Sequence, residues 1–188
     1  MEAFLVSIGT IAVAEMGDRT QLLSLVLSTH FRKPWPIIAG ILVATLANHA
    51  AAGYIGERFG QYLTPTLLNA VVGASMVAMT LWTLKPDKLD DKVAVGSRGA
   101  FFATLVAFFI AEIGDKTQIA TVALAAGYAS LGMVVAGTTC GMLAANIPVV
   151  LLGKTFAEKL PMRAIHYGAS VLFLALGIIF IGRAALGP

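Results

Sequence analysis

Charged residues are scarce in this chain. Only 12% of its 188 residues are charged and 58% are apolar, whereas an ordinary soluble domain carries about 25% charged residues. A soluble protein of this length cannot bury so large an apolar fraction. The shortage of charge therefore excludes an ordinary soluble domain and predicts one membrane domain surrounded by the lipid bilayer.

Cysteine is also nearly absent, and the basic residues are dispersed. Cys140 is the single cysteine, which excludes an intrachain disulfide and a cysteine-cluster metal site. The 13 Lys and Arg residues form no concentrated patch, so nucleic acid is not an expected partner. No nucleophile–base set or cofactor loop is present, so neither an enzyme nor a bound cofactor is predicted.

Six apolar stretches are long enough to cross a bilayer, which takes about 20 helical residues. Their unbroken runs favour helices over barrel strands, which alternate in polarity over about 10 residues. The sequence therefore predicts an all-α polytopic membrane protein with six transmembrane helices, at Ala3–Leu27, Pro36–Gly56, Thr66–Leu84, Gly99–Ala126, Ser130–Gly153 and Met162–Ala184.

The two halves of the chain repeat one another. The heptapeptide EMGDRTQ at 15–21 returns as EIGDKTQ at 112–118, an offset of 112 − 15 = 97. Each repeat contains three predicted spans, and this odd number makes the second copy enter the membrane from the opposite side. Many secondary transporters have such inverted repeats. We predict two inverted three-helix repeats, 1–84 and 99–188, joined by a charged linker at 85–98.

The repeated heptapeptide places acids deep in the membrane. Glu15 lies about 18 Å of helix after Ala3, near the middle of the bilayer, and Glu112 has a similar depth. Asp18 and Asp115 follow three residues later, on the same helix face as the glutamates if each helix stays regular. A charge at that depth costs several kcal/mol, which favours a functional role for the four acids.

A structural ion pair within each motif is the alternative. Each glutamate lies four residues before a base, Arg19 in the first motif and Lys116 in the second. Such pairs would leave Asp18 and Asp115 without an obvious partner. If all six groups are ionised, four acids and two bases leave a charge of −4 + 2 = −2. One divalent cation or two protons would cancel this charge. Protons are an option because burial and mutual repulsion both favour the protonated form of a carboxylate.

The other polar residues near the acids are oxygen donors, which hard ions such as Ca²⁺, Mn²⁺ and Mg²⁺ prefer. His49 is either a further ligand or a packed or pore-lining histidine, and its counterpart in the second repeat, Ile147, cannot bind a metal. The predicted ligands besides the four acids are Thr20, Gln21, Asn48, Thr117, Gln118 and Asn146.

Glycines precede both aspartates. Gly17 and Gly114 either let the helix unwind and offer carbonyl groups to an ion, or let two helices pack closely, which is the commoner role. Gly137 and Gly141, four residues apart, are typical of helix packing in membranes.

The paired Glu-x-Gly-Asp-(Lys/Arg)-Thr motifs resemble those of the Ca²⁺/Mn²⁺:H⁺ exchanger family, which includes Golgi manganese/calcium transporters and bacterial manganese exporters. The resemblance covers the whole chain. It implies export of a divalent cation coupled to proton entry, with Glu15, Asp18, Glu112 and Asp115 as metal ligands and proton carriers. The short chain, without a leader, fits a bacterial inner-membrane protein, for which Mn²⁺ is the expected ion and Ca²⁺ the alternative.

Alternating access of one central site to the two sides of the membrane is the mechanism that follows. A passive cation channel lined by the same acids is the first alternative, because an acid ring also selects cations in a pore. A membrane scaffold protein without transport activity is the second.

The predicted loops also predict an orientation. Basic residues mark cytoplasmic loops, so the linker at 85–98 should lie in the cytoplasm and both termini outside. Reporter fusions at the two termini and within the linker test this, and termini on the cytoplasmic side would overturn it. The side predicted as cytoplasmic carries Arg32, Lys33, Lys85, Lys88, Lys92, Arg98, Lys154, Lys159 and Arg163, and the opposite side carries Arg58 and Arg183.

Overall fold

The described part of the chain is entirely helical. The computed structural model describes residues 1–84, 99–128, 130–153 and 161–186, and the predicted linker lies outside these ranges. The eight described helices are α1 (Glu2–Glu15), α2 (Arg19–Phe31), α3 (Pro34–Gln61), α4 (Pro65–Thr83), α5 (Ala100–Glu112), α6 (Lys116–Tyr128), α7 (Leu131–Leu152) and α8 (Met162–Leu186).

Four of these helices, α3, α4, α7 and α8, are long and apolar enough to cross a membrane. They match the second, third, fifth and sixth predicted spans to within a few residues. Proline opens both α3 and α4, where its fixed φ suits the first turn of a helix and its missing N–H is not needed. The sequence pattern therefore predicted these four elements correctly.

The first and fourth predicted spans are not continuous helices. Each breaks inside the repeated motif, so that α1 ends at Glu15 and α5 ends at Glu112. Gly17 and Gly114 have φ values of +79° and +73°, a left-handed conformation that glycine adopts at no steric cost. The predicted helices Ala3–Leu27 and Gly99–Ala126 are each divided in two by these turns, which agrees with the alternative in which Gly17 and Gly114 let the helix unwind.

The breaks also change where the aspartates point. Asp18 precedes α2 as its N-cap and accepts a hydrogen bond from Thr20 N at 3.4 Å. Asp115 accepts the equivalent bond from Thr117 N at 3.3 Å. The predicted shared helix face of glutamate and aspartate is therefore wrong, since the glutamate ends one helix and the aspartate caps the next.

Glycines bring each broken helix against the middle helix of the other repeat. A Cβ atom added to Gly137 would lie 2.6 Å from the carbonyl oxygen of Phe4, and one on Gly141 would lie 2.7 Å from that of Ile8. One on Gly40 would lie 2.9 Å from that of Phe101. These contacts pack α7 on α1 and α3 on α5, and they confirm the packing role predicted for Gly137 and Gly141.

The helices α1 and α5 begin at opposite ends of the bundle. Gly40, near the start of α3, contacts the start of α5. At the other end of α3, Gly60 lies against Ala126 near the end of α6. That end also holds the start of α1, because Glu2 approaches Arg183 of α8 to 3.9 Å. Phe180, one turn before Arg183, makes an edge-to-face contact with Tyr128 at the end of α6.

Gly114→Ala should destabilise the protein by about 1–2 kcal/mol, because a Cβ atom disfavours the left-handed conformation. A steric clash does not contribute to this loss, since nothing lies within 4 Å of the added Cβ atom. Gly132→Ala is the matched control, with equally open surroundings and no positive φ. Thermal unfolding in detergent compares the two variants, and equal stability would contradict the role given to the turn.

Candidate cation site

Three carboxylates from the two helix breaks meet in the interior of the protein. Glu15, Asp18 and Asp115 each offer an oxygen atom, and these atoms lie within 4.8 Å of one another. All three side chains are buried. Oxygen donors at this spacing suit a hard divalent cation. The structure thus brings together the two motifs that the sequence placed 97 residues apart.

Glu112, the fourth predicted acid, lies beside this group. Its Oε1 accepts a hydrogen bond from Thr45 Oγ1 at 2.9 Å, and His49 Nε2 lies 3.5 Å from its Oε2. Asp115, three residues further along the chain, belongs to the three-carboxylate cluster. The four acids therefore fall into two neighbouring parts, the three-carboxylate cluster and the Glu112 side chain.

The two basic residues of the motifs pair across the repeats. Lys116 Nζ forms an ion pair with Asp18, and Arg19 lies 3.2 Å from Asp115. The alternative pairing, in which each base neutralises the glutamate four residues earlier, is wrong because the helix breaks between them. Arg19 and Lys116 therefore lie at the acidic cluster itself.

The two breaks differ in exposure. The Lys116 side chain is 3% exposed, whereas that of Arg19 is 35% exposed. Gly17 is buried and Gly114 is exposed, and Ile113 beside it is 58% exposed. The backbone turn is therefore buried in the first break and exposed in the second, whereas the basic side chains show the opposite order.

The motif glutamines satisfy the backbone at each break. Gly17 N donates to Gln21 Oε1 at 2.8 Å, and Gly114 N donates to Gln118 Oε1 at 2.8 Å. Gln21 Nε2 also donates to the carbonyl oxygen of Ala145 at 3.0 Å, which ties α2 to α7. The amide oxygens thus have backbone partners, and the predicted ligand role of the glutamines stays a prediction.

The motif threonines bond to the aspartates that precede them. Thr20 Oγ1 donates to Asp18 Oδ2 at 3.3 Å, and Thr117 Oγ1 donates to Asp115 Oδ2 at 3.0 Å. These bonds fix the carboxylate of each aspartate, so that its other oxygen meets the base of the opposite repeat.

The two predicted asparagines have different partners. Asn146 Nδ2 donates to Glu15 Oε1 at 3.4 Å, whereas Asn48 Nδ2 donates to the carbonyl oxygen of Phe109 at 3.1 Å. Asn146 is held in turn by Ser24, whose hydroxyl donates to Asn146 Oδ1 at 2.7 Å. Ser24 and Thr45 were not predicted as site residues. The only feature of the sequence that indicates them is that each hydroxyl lies one helical turn from a predicted site residue.

One oxygen of each glutamate has no hydrogen-bond donor. Glu15 Oε2 and Glu112 Oε2 are both buried without such a partner. Most buried polar side-chain atoms in proteins have at least one hydrogen bond. These two oxygens are therefore free to bind a cation or a proton.

Comparison with known proteins identifies relatives along the whole chain. The family described as "Divalent cation/proton antiporter GDT1" matches residues 3–91 and 100–187. A "Putative manganese exporter" of Vibrio cholerae is 51% identical over 179 residues, covering 95% of this chain and 90% of that protein. A GDT1-like protein of Synechocystis is 25% identical over 200 residues, covering 95% and 96%. No solved structure matches the chain.

Lys116→Met should destabilise the protein by about 3–5 kcal/mol, because it leaves the Asp18 carboxylate buried without its cation. Arg19→Met should reduce the stability clearly less, since the Arg19 side chain is 35% exposed and that of Lys116 only 3%, and a partly exposed ion pair contributes less than a buried one. Thermal unfolding in detergent measures both variants. Adding Asp18→Asn to Lys116→Met should restore part of the loss, and no recovery would contradict the proposed pairing.

Proposed function

The chain belongs to the GDT1 family of divalent cation/proton antiporters, and we propose that it exports divalent cations from the cytoplasm in exchange for protons. The observation that carries this proposal is the meeting of Glu15, Asp18 and Asp115, whose oxygens lie within 4.8 Å of one another inside a multi-pass membrane protein. Acids inside a membrane domain mark ion and proton pathways.

Charge balance supports exchange of one ion for two protons. Asp18 and Asp115 each have a basic partner, so the excess charge of −4 + 2 = −2 resides on Glu15 and Glu112. These are the two side chains with a free buried oxygen. One divalent cation or two protons would neutralise them, and the two kinds of ligand would exclude one another.

The proposed architecture is six membrane crossings in two inverted repeats. The broken pairs α1–α2 and α5–α6 each count as one crossing, because two halves of 13 or 14 residues span about 40 Å together. The opposite starting ends of α1 and α5 support the inversion. With both termini outside, α5 would begin on the cytoplasmic side.

Alternating access gives the unequal breaks a role. Irregular backbone at membrane depth is tolerated only inside protein or beside water, so the exposed break at Gly114 would line an aqueous route to the cluster. Rocking of one repeat against the other would cover this break and open the one at Gly17. Neutralisation of the acids by metal or protons would lower the energy of the closed intermediate.

Mn²⁺ is the proposed ion and Ca²⁺ the alternative. The carboxylate cluster accepts both, because both are hard cations with a preference for oxygen. The Vibrio cholerae relative, which is 51% identical, is named a "Putative manganese exporter". This name favours Mn²⁺ over Ca²⁺ as the transported ion.

Purified protein in lipid vesicles tests the function. We expect an imposed proton gradient to drive Mn²⁺ against its own gradient. Glu15→Gln and Asp18→Asn should each lower the initial rate of Mn²⁺ transport. The decrease should exceed the roughly 10–100-fold loss that is typical when a residue that supports a metal ligand is replaced.

Glu57→Gln is the matched control, since Glu57 lies near the end of α3 outside the cluster. Its flux should equal that of the wild type. Mn²⁺ flux that ignores the proton gradient would instead identify a passive channel, and unchanged flux in both site variants would exclude the cluster.

A further inference from the structure

His49 is a buried polar side chain whose ring nitrogens have no hydrogen bond. It lies on α3 with no solvent exposure, and neither Nδ1 nor Nε2 has a hydrogen-bond partner. Nε2 lies 3.5 Å from Glu112 Oε2, an oxygen that also lacks a donor. We propose that these two atoms form a nitrogen–oxygen cation subsite that favours divalent transition-metal ions over Ca²⁺; this inference rests on the proposed transport function.

The spacing of the two atoms suits a shared ion. Two ligand atoms at about 2.0–2.3 Å from one ion are about 2.8–3.3 Å apart at an angle of 90° and about 3.3–3.8 Å apart at the tetrahedral angle. The observed 3.5 Å between His49 Nε2 and Glu112 Oε2 is longer than a normal hydrogen bond, which spans about 2.7–3.2 Å. The two atoms are thus too far apart to form a normal hydrogen bond with each other, and they are close enough to bind the same cation.

The carboxylate is held in the orientation that this subsite needs. Thr45 lies one helical turn before His49 and donates to Glu112 Oε1 at 2.9 Å, which leaves Oε2 directed toward the imidazole. Asn48, beside His49, bonds to the Phe109 carbonyl oxygen one turn before Glu112. Such supporting hydrogen bonds fix the direction of metal ligands, and here they join α3 firmly to α5.

Nitrogen changes which ion is favoured. Ca²⁺ takes six to eight oxygen ligands in proteins, whereas neutral imidazole is a common ligand of divalent transition metals. The three-carboxylate cluster offers only oxygen and cannot separate the two kinds of ion strongly. Position 147 of the second repeat is Ile, so the nitrogen donor belongs to one side of the site only.

Selectivity in lipid vesicles is the first test. With Mn²⁺ and Ca²⁺ as probes under the same proton gradient, His49→Gln should lower kcat/KM for Mn²⁺ about tenfold. The value for Ca²⁺ should change less than about twofold, because the glutamine still offers an oxygen. His30→Gln is the matched control, since His30 is exposed at the end of α2. In this variant the ratio of kcat/KM for Mn²⁺ to kcat/KM for Ca²⁺ should equal that of the wild type.

Pulsed electron paramagnetic resonance of bound Mn²⁺ is the second test, and it does not depend on transport. The wild type and His30→Gln should give ¹⁴N coupling from a coordinated imidazole, and His49→Gln should not. Absence of this coupling in the wild type, or equal loss of Mn²⁺ and Ca²⁺ transport in His49→Gln, overturns the inference. Failure of the transport proposal is distinct, because the wild type would then move neither ion against its gradient.

Discussion

A carboxylate in hydrocarbon requires a positive partner, and this fold supplies that partner from the other half of the chain. Asp18 is paired with Lys116, and Asp115 with Arg19. An unpaired buried charge would cost several kcal/mol, so both helix breaks must lie at the same depth and face each other. The packing of α7 on α1 and of α3 on α5, through glycines that allow close approach, holds them there.

The breaks create a second demand, because backbone groups that leave the helix also need partners in lipid. Both repeats meet it with the same residues: a glutamine that accepts from the glycine N–H and an aspartate that caps the next helix. The surrounding helices differ. Asn146 reaches Glu15, whereas Thr45 and His49 face Glu112. The repeated motif therefore determines the backbone at each break. The glutamates have unlike surroundings because Thr45 and His49 have no counterpart in the second repeat, and because the repeated asparagines Asn48 and Asn146 have different partners.

The sequence predicted what depends on local pattern. Uninterrupted apolar runs revealed α3, α4, α7 and α8, and the repeat placed the acids of both motifs near one another. The breaks were only one of two roles considered for Gly17 and Gly114, because a glycine that turns the chain and one that packs against a helix look alike in sequence. The pairing of Asp18 with Lys116 depends on tertiary contact between distant segments. Ser24 and Thr45 were overlooked because hydroxyls in apolar helices usually bond to their own backbone.

The crossed ion pairs make the two repeats interdependent during biosynthesis. When the segment with Asp18 enters the membrane, Lys116 lies 116 − 18 = 98 residues further along the chain and is still to be made. The early carboxylate must remain protonated, or near the translocon or the lipid headgroups, until its cation arrives. Assembly is thus complete only when the last helices have docked, and a fragment that ends before α6 lacks the lysine that pairs with Asp18.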